Sequence, residues 1–156
     1  MLKALREIFT RSLVDGGEND PESREHAVRL ATATLLVEVV RADYKENLTE
    51  NEVVFDQLRR FFELSEQEGR LLMEEARQQA DHAVSLQNFT RLLHEYLTPT
   101  EKYSVIEMLW RVAMADDYLD KHEDHLVRKV AGLLYISHGD LIRIRNRVHA
   151  DSATNG

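Results

Sequence analysis

A short acidic stretch occurs twice in this chain, each time after an apolar helical run. The first copy is Ala42-Asp43-Tyr44-Lys45-Glu46-Asn47-Leu48-Thr49-Glu50-Asn51-Glu52, and the second is Ala115-Asp116-Asp117-Tyr118-Leu119-Asp120-Lys121-His122-Glu123-Asp124, about 73 positions later. Each concentrates carboxylates around a helix-to-helix turn. Such a pair reads either as two divalent-cation sites or as two well-capped helix starts. Either way it demands helices on both sides of each turn, which constrains the fold more than any other segment.

The rest of the chain agrees with an all-α architecture. It has only two prolines, Pro21 and Pro99, and few alternating β-branched runs. Leu2, Leu5, Ile8, Phe9 and Leu13 fall on one helical face, and Asp15-Gly16-Gly17 to Asp20-Pro21 reads as the loop that ends that helix. A second helix is predicted from Glu22 to Arg41; its middle, Leu30 to Val40, is apolar almost all round and therefore central. Thr49 with Glu52, and Ser65 with Glu68, have capping-box spacing. Val54, Phe55, Leu58, Phe61 and Phe62 would face the core after the first box, and Leu71, Leu72 and Ala76 after the second. A helix over Leu86 to Leu97 follows. Thr98-Pro99-Thr100-Glu101 then combines an N-cap, a proline at the first helical position and a glutamate at the third, opening a helix to Met114. Asp120 with Glu123, and Ser137 with Asp140, open two more. Leu141 to Val148 alternates apolar residues with arginine, yet is read as helix from its place in the repeat.

Val37 to Asp43 matches Trp110 to Asp116 in character, and Leu58 to Ser65 matches Val130 to Ser137 at a spacing shorter by one. The expectation is a compact bundle of about seven to eight helices built from two similar helix–acidic turn–helix repeats. The chain reads as one domain over residues 1–156, with an N-terminal helix and linker at 1–20, a duplicated core at 24–149 and a flexible tail at 150–156. Its 156 residues suffice for a single hydrophobic core.

Composition narrows the function. There is no cysteine, which excludes disulfides, thiolate metal sites and cysteine nucleophiles. A net charge of −8 argues against a nucleic-acid partner, which calls for a basic face to displace counterions from phosphate. Charged residues Lys3, Arg6, Glu7 and Arg11 interrupt the apolar N-terminus, unlike a secretory signal. Glu38 breaks the longest apolar run, so no segment approaches a membrane span. A cytoplasmic location is the expectation.

On the residues of its acidic turns the chain resembles the tellurite-resistance TerB family and its TerB-like relatives. The family hallmark is a helix ending in Ala-Asp-Gly, a small acidic loop and a glutamate opening the next helix. Ala115 to Glu123 follows that pattern with Asp117 at the glycine position; Ala42-Asp43 follows it with Tyr44 there and a longer loop. The likeness spans roughly Arg24 to His149. It implies an all-helical bundle and a bacterial stress-related or metal-related role, with the loop carboxylates chelating a divalent metal. It implies no known enzymatic reaction.

The candidate metal ligands are Asp116, Asp117, Asp120 and Glu123 in the second turn, and Asp43, Glu46, Glu50 and Glu52 in the first. All are hard oxygen donors, which suit Ca2+ or Mg2+ before Zn2+. The second turn is not an EF-hand, because a twelve-residue loop opened at Asp116 would end on Val127, and one opened at Asp117 on Arg128, where a bidentate glutamate is required. The bland alternative is that Asp120 and Glu123 only satisfy free N–H groups and the helix dipole. His122-Glu123-Asp124-His125 spaces its histidines three apart, not the four of a zinc-hydrolase helix. Lys3, Arg6 and Arg11 flank an apolar face that would dock on the bundle or lie on an anionic membrane. Arg143, Arg145, Arg147 and His149 form a basic patch that balances an acidic protein or meets a phosphate. Trp110 reads as a packing residue. No phosphate loop and no serine–histidine pairing points to catalysis. The expected function is a non-catalytic binding or sensing domain, with a metal-free protein–protein interaction module or a peripheral membrane domain as alternatives. The protein partner and oligomeric state are not encoded in any motif.

Overall fold

The computed structural model describes residues 21–42, 48–81, 86–115 and 119–155. Within them the chain forms seven α-helices and no strand: α1 Pro21–Arg41, α2 Leu48–Phe62, α3 Glu66–Asp81, α4 Leu86–Tyr96, α5 Pro99–Ala113, α6 Lys121–Leu133 and α7 His138–Asn155. The helix expected over Met1 to Leu13 lies outside the described residues.

The central position of α1 follows from its composition. Leu30, Ala31, Ala33, Leu35, Leu36, Val37, Val39 and Val40 are all buried, which leaves no solvent face along the middle of the helix. It packs against α2, α3, α4, α5 and α6. Thr32 and Thr34 are buried with it, and their hydroxyls donate to the Val28 and Leu30 carbonyls at 2.9 and 2.7 Å, so no polar group is stranded there. The second inner helix is α5, buried at Val105, Ile106, Leu109, Val112 and Ala113 as predicted. Trp110 is a fully buried packing residue whose Nε1–H donates to the Leu141 carbonyl at 3.3 Å, which ties α5 to α7.

Helix boundaries follow the local signals. Thr98 caps α5 with a complete capping box: its hydroxyl accepts from Glu101 N–H at 3.2 Å, and the Glu101 carboxylate accepts from Thr98 N–H at 2.8 Å. Ser65 and Glu68 make the same reciprocal pair before α3, at 3.1 and 2.9 Å. The Ser65 backbone N–H, which donates to the Glu68 carboxylate, and then the Ser65 hydroxyl hold that carboxyl below its ordinary pKa. Ser137 Oγ accepts from Asp140 N–H at 3.2 Å before α7.

Two helix ends close alike. Leu64 N–H bonds to the Arg59 carbonyl and Ile136 N–H to the Ala131 carbonyl, both at 2.9 Å. In each the preceding residue is left-handed, Glu63 at φ 53° and Tyr135 at φ 61°. This is the six-to-one closure that usually recruits glycine; here neither residue is one. The two ends lie at the spacing of 72 at which Leu58–Ser65 and Val130–Ser137 match in sequence.

Four expectations shift. Helix α2 starts at Leu48, so Thr49 lies inside the first turn and not at the cap. Leu71 is 55% exposed, because the inward stripe of α3 runs through Leu72, Met73, Ala76 and Gln79 and leaves Leu71 rotated toward solvent. Phe55, Phe61 and Phe62 are half-buried at the edge of the core rather than inside it. The stretch 150–156 was expected to be a tail, yet α7 runs on to Asn155, and Asp151 pairs with Arg111 of α5 at 3.1 Å.

Candidate metal centre at the acidic turns

Both acidic turns deliver a glutamate to the third residue of the helix that follows. In α6 this is Glu123, in α2 it is Glu50, and their side chains are 1% and 0% exposed. Helical geometry explains the burial. Glu50 shares a stripe with Val54 and Leu58, and Glu123 with Val127 and Val130, all of which face the core. No other charged side chain among the described residues is buried to this degree. A carboxylate withdrawn from water costs several kcal/mol unless a cation, ion pair or hydrogen bonds compensate it, on the order of 2–7 kcal/mol even for a neutral polar group.

The remaining candidates divide. Asp120 is the N-cap of α6, its Oδ1 accepting from His122 N–H at 2.8 Å, which realises the capping alternative for that residue. Asp124 is engaged by Arg128 at 2.8 Å. Glu52 is exposed, two residues and about 200° around the helix from Glu50. It lines an open groove of about 750 Å³ with Asn51, Phe55, Asp56, Met73, Glu74 and Arg77. Asp43, Glu46, Asp116 and Asp117, with Tyr44 and Tyr118, lie outside the described residues. Among the described residues no three His, Asp or Glu side chains gather into a metal-holding group.

The end of the bundle where α1 finishes carries a further polar cluster. Arg41, the last residue of α1, pairs with Asp81, the last residue of α3, at 2.6 Å. Glu38 lies beside them, its carboxyl pushed above its ordinary pKa by burial, against the pull of Arg41 and with a smaller push from Asp81. Two residues before Asp81, Gln79 is 1% exposed, and neither its amide nitrogen nor its amide oxygen has a hydrogen-bond partner among the described residues. Sequence reading passed over Gln79. Its signal was a single amide continuing the apolar stripe of Leu72 and Ala76.

The histidine and basic motifs resolve as ordinary surface. His122 and His125 are exposed, and His26 pairs with Glu75 at 3.1 Å. Arg143 meets Asp140 at 3.0 Å and Arg147 meets Glu107 at 3.6 Å, so half of the basic patch already has carboxylate partners. Tyr103 donates to Asp140 at 3.0 Å, and that bond raises the phenol's pKa. Among the described residues no helix is long and apolar enough to cross a membrane.

The family model described as tellurite resistance protein TerB matches residues 29–146, which takes in both acidic turns and six of the seven helices whole or in large part. No curated protein and no solved structure matches the chain. With the match covering well over half of its length, and an all-helical bundle around it, the chain belongs to the TerB family of tellurite resistance proteins.

Proposed function

We propose that this chain is a non-catalytic binding or sensing domain of the bacterial cytoplasm, linked to tellurite or stress resistance, whose acidic turns hold a divalent cation. The observation that carries the reading is the burial of Glu50 and Glu123 at the third position of the helices that leave the two turns. An all-oxygen donor set favours Ca2+ or Mg2+ over Zn2+. Asp116, Asp117, Asp120 and Glu123 would hold the ion at the second turn, and Asp43, Glu46 and Glu50 at the first. Glu52, the fourth candidate at the first turn, lines the α2–α3 groove. An ion in either turn would fix the angle between the flanking helices and thereby the surface offered to a protein partner.

Titration calorimetry with Ca2+, Mg2+ and Zn2+ tests this on the wild type and on an Asp116→Asn/Glu123→Gln variant. Saturable heat with Ca2+ or Mg2+ that weakens in the variant is the expected result. Absence of saturable heat with every ion in the wild type removes the proposal.

A metal-free protein–protein interaction module is the second reading, favoured by the Asp120 cap on His122 N–H. Under it the turns serve only to start helices, and partner capture is indifferent to a chelator.

A further inference from the structure

Helices α2 and α3 form an antiparallel hairpin closed at residues 63–65. Its register is visible in the contacts between the two. A Cβ on Gly69 would meet Phe55 Cε2 at 2.9 Å and Arg59 Cγ at 3.0 Å. One groove between the two helices is lined by Asn51, Glu52 and Phe55 of α2 and by Met73, Glu74 and Arg77 of α3. Residue numbers fall on one helix as they rise on the other, so the end of α3 with Gln79 lies beside the start of α2 with Glu50. Both residues lie on the inward stripes of their helices, Glu50 with Val54 and Leu58, Gln79 with Leu72 and Ala76. A buried carboxylate near the start of α2 and a buried amide near the end of α3 thus lie toward the end of the bundle where α1 finishes with Glu38 and Arg41, the latter paired with Asp81.

The amide is the telling group. A primary amide can make four hydrogen bonds, and one sealed from water without any costs about 1–3 kcal/mol. Gln79 makes none among the described residues. A buried polar group without a protein partner is commonly satisfied by a water or an ion. An amide oxygen and a carboxylate are together a hard-cation donor pair, of the sort that calcium takes from proteins and magnesium supplements with water.

We infer that Gln79, through its amide oxygen, is a ligand together with Glu50 for a hard divalent cation held between α2 and α3. The inference rests on the cation-binding reading above and adds a neutral donor from a helix outside the acidic turns. It also moves weight to the first turn, whose sequence fits the family pattern less closely than the second.

The test isolates the first site by using full-length Asp116→Asn/Asp117→Asn protein as the background. Calcium chloride titrations are then compared for that background, for Gln79→Leu added to it and for Gln79→Glu added to it. Expected is binding that persists in the background, weakens about tenfold or more with Gln79→Leu and tightens with Gln79→Glu, the scale on which groups around a metal report. A merely structural amide would change stability with both substitutions and leave affinity alone. Far-UV circular dichroism checks that each variant folds. In the unsubstituted protein the Gln79 side-chain amide resonance is expected to shift as calcium saturates, which needs no variant. An unchanged isotherm in both variants, or an unmoved resonance at saturation, overturns the assignment and leaves a buried water as the occupant. That result differs from failure of the underlying reading, in which the wild type itself shows no saturable heat.

Discussion

Glu50 and Glu123 stand at the third position of α2 and α6, 73 positions apart in the chain, and both side chains are turned out of solvent into the core. Their burial separates them from the surface carboxylates that merely balance a helix dipole. If each compensates an ion, calcium stabilises the fold by mass action, by about 2.7 kcal/mol at a free concentration one hundred times the Kd. The expected outcome is a melting temperature that rises with calcium in the wild type. In Glu123→Gln the rise shrinks, and in a Glu50→Gln/Glu123→Gln protein it disappears. Scanning calorimetry with calcium and with chelator reads both, and a calcium-independent wild type would contradict the expectation.

Glu38 gives a stability prediction with a definite sign. Burial raises its pKa in the folded state, so folding favours the protonated carboxyl. That contribution is fully present below the unfolded pKa and is lost as pH rises through the folded one. Glu38→Gln should therefore be more stable than wild type at neutral pH, with the advantage fading as the pH drops into the carboxylate range. Glu68 runs the other way. Its pKa is held low by Ser65, and its contribution is present at neutral pH and lost on acidification through its folded pKa. Denaturant midpoints across about pH 3–8, a range that brackets the ordinary carboxylate pKa, check both.

Gly69 sits inside α3, where alanine would ordinarily gain about 1 kcal/mol in helix propensity. Here the added Cβ would meet Phe55 at 2.9 Å and Arg59 at 3.0 Å across the hairpin. Overpacking of that kind costs about 1–3 kcal/mol, so Gly69→Ala is expected to lower the melting temperature instead of raising it. Thermal melts of the two proteins decide the sign.

Trp110 is the single tryptophan and is fully buried. Trp110→Phe removes its hydrogen bond to the Leu141 carbonyl and leaves part of its volume empty. The expected loss is about 2 kcal/mol. Circular dichroism is the readout, since the substitution also removes the fluorescent probe.

The helices and most of their starts are legible in the amino-acid sequence. Thr98, Ser65, Asp120 and Ser137 satisfy their helix N-termini through neighbours two or three residues away, so local hydrogen bonding was enough to read them. The apolar run of Leu30 to Val40 likewise announced a central helix, because a segment with no polar face has nowhere to go but the interior. Which carboxylates leave solvent was a different matter. Glu50 and Glu52 are equivalent as sequence, both acidic and both in the first turn region, yet one is buried and the other lines the α2–α3 groove. Leu71 and Gln79 reverse the usual roles, the leucine exposed and the amide buried. Those assignments depend on how α3 is rotated against α1 and α2. Rotation is set by long-range packing of whole stripes, and no local pattern encodes it.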